Sequence, residues 1–119
     1  MKYDLEERLI TFAVRIIDVV ESLPRTRAGN HIAGQLVRSG TSPALNYGEA
    51  QSAESRNDFV HKMRVILKEL RETRIALLIA ERKRMSRDHI LVSRTSEECR
   101  QLISIFVKSI QTAESRNRK

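Results

Sequence analysis

Proline occurs twice in this 119-residue chain, glycine four times and cysteine once. So few chain breakers, alongside 31% charged residues, favour helix over strand-and-turn architecture. The lone Cys99 has no internal disulfide partner, so nothing in the sequence asks for an oxidising compartment. No run approaches the roughly 18 apolar residues that a membrane-crossing helix requires. The opening MKYDLEERLI is acidic after Lys2 and lacks the apolar core of a signal peptide. These absences lead us to expect one soluble, cytoplasmic domain over residues 1–119, long enough for a single hydrophobic core and with no membrane partner.

What the chain does have is positive charge, +7 in net, unevenly placed. Residues 1–30 hold five basic and five acidic groups, and residues 31–55 hold one and two. Residues 56–85 hold nine and four, and residues 86–119 hold seven and four. The second half is therefore the basic half, and RNA, DNA or another acidic partner is the natural inference.

Apolar periodicity predicts four helices, at about 4–23, 30–55, 57–83 and 95–112. In the first, Leu5, Leu9, Phe12, Ile16, Val19 and Leu23 step by threes and fours behind a capping Asp4. Ile10, Ala13, Ile17 and Val20 widen that stripe beyond what one bundle seam needs. Pro24 ends the helix, and the short RTRAGN loop implies an antiparallel neighbour. In the third helix Phe59, Met63, Ile66, Leu70, Thr73 and Leu77 form the seam, while Arg64, Lys68, Arg71 and Arg82 line the opposite side. That basic line is either a solvated face or a phosphate-contacting stripe. Cys99, Leu102, Ile103, Phe106 and Ile110 make the core face of the fourth helix, with Ser96 as a candidate cap. The MSRDHILVSR segment before it is either an early helical turn capped by Ser86 or a loop, and the AESRNRK tail is expected to fray.

The second helix is the unusual one. Ile32, Ala33, Leu36, Val37, Gly40, Pro43, Ala44, Tyr47 and Ala50 share one side of it. Gln35, Arg38, Ser42, Asn46 and Glu49 share another, and Arg38 is the only ionised residue between Ile32 and Gly48. A solvated face carries Lys and Glu at many positions, whereas hydroxyls and amides suit burial where each group can be paired. We therefore expect this helix to be buried on two sides, one of them between subunits. Pro43 removes a backbone donor and predicts a kink, with Ser39, Thr41 and Ser42 placed to satisfy the freed groups. Gly40, Ala44 and Gly48 leave a groove for close approach of another helix. Glu69 or Arg74 of the third helix is positioned to form a buried ion pair with Arg38 or Glu49.

Catalytic patterns are sparse. Gly29-Asn-His-Ile-Ala-Gly34 has P-loop glycine spacing, but Gln35 and Leu36 stand where phosphate binding needs Lys and Ser or Thr. Asp58 and His61 form one acidic-x-x-His pair, and di-iron bundles need a second copy. Ser42 has no histidine at helical spacing, and Cys99 has apolar neighbours that suit a core residue rather than a nucleophile. We expect no cofactor and no enzymatic activity. Gln35, Arg38, Ser39, Ser42, Asn46, Glu49 and Glu69 then form a structural or interface network.

The string QLVRSGTSPALNYGEA, followed by Ser-x-x-x-Asp-Phe at Ser55 to Phe59, resembles the small bacterial four helix bundle family. Its members are also called ribosomal RNA intervening-sequence proteins and are related to accessory proteins of diversity-generating retroelements. LEERLITFAVRIIDVVESLPRTRAGN, KELRETR and ECRQLISIFVKSIQTA extend the resemblance over nearly the whole chain. The family hallmarks fall on Arg38-Ser39 and on Asn46 with Glu49. The resemblance implies an antiparallel, up-down, all-α four-helix bundle that assembles into a homopentameric ring. It also implies a nucleic-acid-binding or accessory role beside a reverse transcriptase or other nucleic-acid-processing protein. The alternative is a pure protein–protein scaffold.

Overall fold

The computed structural model describes residues 4–117, and among them lie four helices and no strand. They are α1 (Leu5–Glu21), α2 (Arg27–Gln51), α3 (Arg56–Arg82) and α4 (His89–Asn117). Each begins where a short polar side chain accepts from a backbone N–H that has no partner within the helix. Asp4 accepts from Glu7 N at 3.1 Å, Thr26 from Gly29 N at 3.0 Å, Ser55 from Asp58 N at 3.0 Å, and Asp88 from Leu91 N at 3.0 Å.

These caps account for the boundaries that periodicity misplaces. Thr26 starts α2 ahead of Asn30, and Ser55, expected inside α2, caps α3 instead. Asp88 starts α4 well before Thr95, so Ser96 is an interior residue. Ser86 supports that start by accepting from Asp88 N at 2.9 Å. The stretch expected to be ambiguous is thus mostly helix, with Val92 and Thr95 buried in the core. At the other end α4 continues to Asn117, through most of the tail expected to fray. Residues 118 and 119 of that tail lie outside the described residues.

Successive helices pack side by side and α4 closes back on α1, while the backbones of the diagonal pairs stay apart and meet only through core side chains. That is the up-down bundle, with extents of 51 × 29 × 20 Å. The expected seams fill the interior: Leu9, Phe12, Ile16 and Val19 from α1 meet Met63, Ile66, Leu70 and Leu77 from α3, with Leu102 and Phe106 from α4. Tyr47 of α2 leans edge-on against Phe106, ring centroids 6.1 Å apart.

Helix α2 runs unbroken through the buried Pro43. The nearby hydroxyls do not serve the freed Ser39 carbonyl. Each donates to the carbonyl four residues back: Ser39 to Gln35 (2.9 Å), Thr41 to Val37 (2.5 Å) and Ser42 to Arg38 (2.6 Å). The small-residue series divides as well. Gly40 lets α1 approach, since a Cβ there would lie 2.7 Å from Ile16 Cγ1, but Gly48 has open space around its Cα.

Among the described residues, α1 stops short of one end of the bundle. Arg8 grips Glu98 through two contacts, Nε–Oε2 at 2.6 Å and Nη2–Oε1 at 2.8 Å, and reaches Gln101 at 2.7 Å. Beyond that clamp α1 extends only to Leu5, whereas α4 continues to Asn117, roughly 28 Å further along its axis. The start of α3 and the end of α4 therefore pack against each other with no α1 beside them. At the opposite end Ser22 and Ser86 share a buried 2.5 Å hydrogen bond, and Arg87 N donates to the Ser22 carbonyl at 3.3 Å.

Candidate functional site

Three surfaces come from these elements, and each involves residues singled out in the sequence. The polar side of α2 packs against α3 of the same chain. Ser39 and Thr73 are both buried, and Thr73 Oγ1 stands 2.9 Å from Ser39 Oγ and 2.8 Å from the Glu69 carbonyl. Asn46 Nδ2 donates to Glu69 Oε1 at 3.3 Å. Partial burial pushes the Glu69 carboxyl above its ordinary range, opposed by the Asn46 hydrogen bond and by the Ser42 hydroxyl nearby. Here α2 packs polar side chains against a helix of its own chain, Ser39 buried and Ser42 and Asn46 half-buried.

Arg38 and Glu49 stand apart from that seam. Both are exposed, and Arg38 Nη2 donates to Gln35 Oε1 at 2.6 Å on its own helix. The expected buried ion pair of Glu69 or Arg74 with Arg38 or Glu49 is not among the ion pairs of the described residues, and Glu69 accepts from Asn46 instead. The physical reason is angular. Arg38 lies on the solvent edge of the polar side, while Asn46 lies nearer the α3 contact.

A third side of α2, which a two-face reading overlooks, points outward. Gly34, Val37, Thr41, Leu45 and Gly48 recur at steps of three and four, and Leu45 is 76% exposed. On α1 the exposed Ile10, Val14 and Ile17 make a similar stripe. The two stripes adjoin by helical geometry, because Gly40 and Ile16 bring α1 and α2 together and the half-buried Val20, Ala33 and Ala44 lie between those positions and the stripes on their own helices. The excess apolar width of the first helix therefore belongs to this outer face. The signal available in sequence was the absence of charge from Gly34 to Gly48 apart from Arg38.

The basic surface lies on α3 and α4. Arg64, Lys68, Arg71 and Arg82 are all exposed. Arg64, Lys68 and Arg71 border one shallow concavity of about 430 Å³ with Leu67, Glu72 and Ile75, and Arg82 lies beyond it near the end of α3. Arg64 pairs with Glu114 of α4, and Arg100 with Glu97 at 2.5 Å. A larger groove of about 650 Å³ opens where α1 stops short, with Arg56, Lys108 and Arg116 on its walls. Sequence reading overlooked these three cations, because only the register of α1 against α4 leaves them around one opening.

The nucleophile candidates are occupied or sealed. Ser42 Oγ donates to the Arg38 carbonyl, and Cys99 is fully buried with Sγ 3.3 Å from the Leu70 carbonyl. Burial pushes the Cys99 thiol up to about 12. His31, His61 and His89 are exposed and sit on different helices. No helix among the described residues is long and apolar enough to cross a membrane.

Comparison with solved structures returns a Bacteroides thetaiotaomicron protein of unknown function, described as from the S23 ribosomal protein family. It is 28% identical, with a TM-score of 0.79, over 90% of this chain and 98% of that one. A comparison with curated proteins gives no match. The family model for the 23S rRNA-intervening sequence protein matches residues 2–108. With the match spanning all but the end of α4, the chain belongs to the 23S rRNA-intervening sequence protein family.

Proposed function

We propose that this protein is a non-enzymatic, self-assembling helical bundle, a homopentameric ring, that offers a basic surface to nucleic acid or to a nucleic-acid-processing protein. The observation that carries this reading is the division of its surface. One side, on α1 and α2, is apolar and built of small residues. The other, on α3 and α4, carries most of the cations, interspersed with the exposed Val65, Ile75, Ile79 and Ile90. A monomer gains nothing from exposing Leu45, Val14 and Ile17 together, whereas a neighbouring copy would bury them. Repetition around a ring would then multiply the cationic surface, and phosphate is the abundant cellular partner for such a field. Membership of a family named for rRNA insertions supports the same partner class.

Light scattering after gel filtration tests the assembly. The expected mass is near five times the 13.7 kDa subunit, and a monomer at micromolar concentration refutes the ring. Binding to a structured RNA, followed across salt concentrations, tests the second part. Affinity should fall steeply as salt rises; no binding at low salt, or binding indifferent to salt, refutes a phosphate contact.

The Arg64–Glu114 and Arg100–Glu97 pairs favour a second reading, a scaffold whose basic residues are used in ion pairs between and along helices. Reversing the charge of Arg64, Lys68 and Arg71 separates the two. Nucleic-acid binding falls under the first reading, and the scaffold reading has none to lose.

A further inference from the structure

The register of α1 creates a groove with a chemistry of its own. Arg56 at the first turn of α3 faces Lys108 and Arg116 near the end of α4 across about 650 Å³ of open space. All three are exposed, and none takes part in the ion pairs described among residues 4–117. Two neighbouring carboxylates are engaged elsewhere, Asp58 with Lys62 at 3.1 Å and Glu114 with Arg64, while Glu54 precedes the first turn of α3 and is exposed. The start of α3 adds the positive end of its dipole. Ser109 and Thr112 place hydroxyls in the same wall, while Phe59 and Ile105 supply apolar surface.

We propose that this groove is a binding site for a single-stranded nucleic-acid segment, with its phosphates on Arg56, Lys108 and Arg116. The inference rests on the nucleic-acid reading above and gives it a location, one different from the Arg64–Lys68–Arg71 face. Three features select the occupant. Lys108 and Arg116 are eight residues apart, roughly 12 Å along α4, which suits an extended backbone better than one compact anion. Cations, hydroxyls and an aromatic side chain in one channel match what a strand presents, namely phosphate oxygens, sugar hydroxyls and flat bases. An acidic amphipathic helix would instead need a long apolar stripe to receive its anchors, and here the apolar surface is short.

Fluorescence anisotropy with a labelled single-stranded RNA of about ten nucleotides provides the test. Three full-length proteins are compared between about 50 and 200 mM salt: the wild type, Arg56→Gln/Lys108→Gln/Arg116→Gln, and Arg64→Gln/Lys68→Gln/Arg71→Gln. The two variants lose the same charge, so general attraction weakens equally in both. The groove variant should lose about tenfold or more in affinity, and its salt slope should be shallower by about two to three; the α3-face variant should lose clearly less. Equal losses, or a larger loss in the α3-face variant, overturn the groove while leaving the nucleic-acid reading in place. No wild-type binding at low salt overturns both. Displacement of the RNA by poly-glutamate at equal charge concentration assigns the groove to an acidic protein and overturns the proposal. Circular dichroism checks the fold. Should the triple variant not fold, Lys108→Gln alone, on an exposed side chain, should still flatten the salt slope by about one.

Discussion

Glu69 brings a carboxylate into a seam otherwise made of hydroxyls, amides and aliphatic carbon. Its pKa is raised first by burial, with Asn46 and Ser42 pulling the other way. A carboxyl whose folded pKa lies above its unfolded value makes folding take up protons. Stability is then greatest below the ordinary value of 4.5 and declines as pH rises through the interval up to the folded pKa. Glu69→Gln keeps an acceptor for Asn46 and removes the buried charge. It should raise the melting temperature at pH 7 to 8, and the difference from wild type should vanish well below pH 4.5. A variant less stable at neutral pH would mean that the carboxylate is paired more strongly than its surroundings indicate. Burial raises the pKa of Cys99 as well. It is buried and its thiol pKa is raised, so it should resist alkylation in the native protein at pH 8 and react once denaturant unfolds the bundle.

At the scale of elements, the corner between α3 and α4 makes a sharp test of backbone conformation. Arg84 has φ of 53°, and the helix closes around it with Met85 N donating to the Ala80 carbonyl at 3.0 Å and Arg84 N to the Glu81 carbonyl at 3.1 Å. This is the Schellman pattern with arginine where glycine is preferred. Arg84→Gly should stabilise the fold by about 0.5–1 kcal/mol, read from chemical denaturation. The glycines of α2 divide in the same way. A Cβ at Gly40 would press on Ile16, so Gly40→Ala should cost about 1–3 kcal/mol. A Cβ at Gly48 meets nothing within the subunit, so Gly48→Ala should stabilise the isolated fold by up to about 1 kcal/mol through helix propensity. The same substitution should weaken assembly if a neighbouring copy packs there. Four helices, their antiparallel order and nearly every core position are legible in the sequence, because the apolar stripes are long and regular. The start of α4 is not, since Ser86, Asp88 and Ser96 are all plausible caps and the choice depends on Ser86 docking against Ser22. The partner of Glu69 is not legible either. Arg38, Asn46 and Ser42 all recur at helical spacing on the same side, and only the rotation of α2 against α3 selects Asn46.

For the whole molecule, the question is what covers the outer face of α1 and α2. Ile10, Val14, Ile17, Val37 and Leu45 are each more than 40% exposed and lie on adjoining helices, with the exposed Glu7 and Glu21 at helical spacing at the two ends of the α1 stripe. Specific, stable interfaces bury about 800 Å² per partner, and this face is the apolar surface from which such an area would be drawn. Association linked to folding has a signature that exposure alone lacks: the melting temperature rises with protein concentration. Over a hundredfold dilution the wild type should therefore melt at progressively lower temperature. Ile17→Lys/Leu45→Lys should elute as a monomer with unchanged helical content and a melting temperature independent of concentration. Both side chains already face outward, so the substitutions leave the bundle core intact. A wild-type melting temperature that ignores dilution, together with a double variant of unchanged mass, would show that this face does not join subunits.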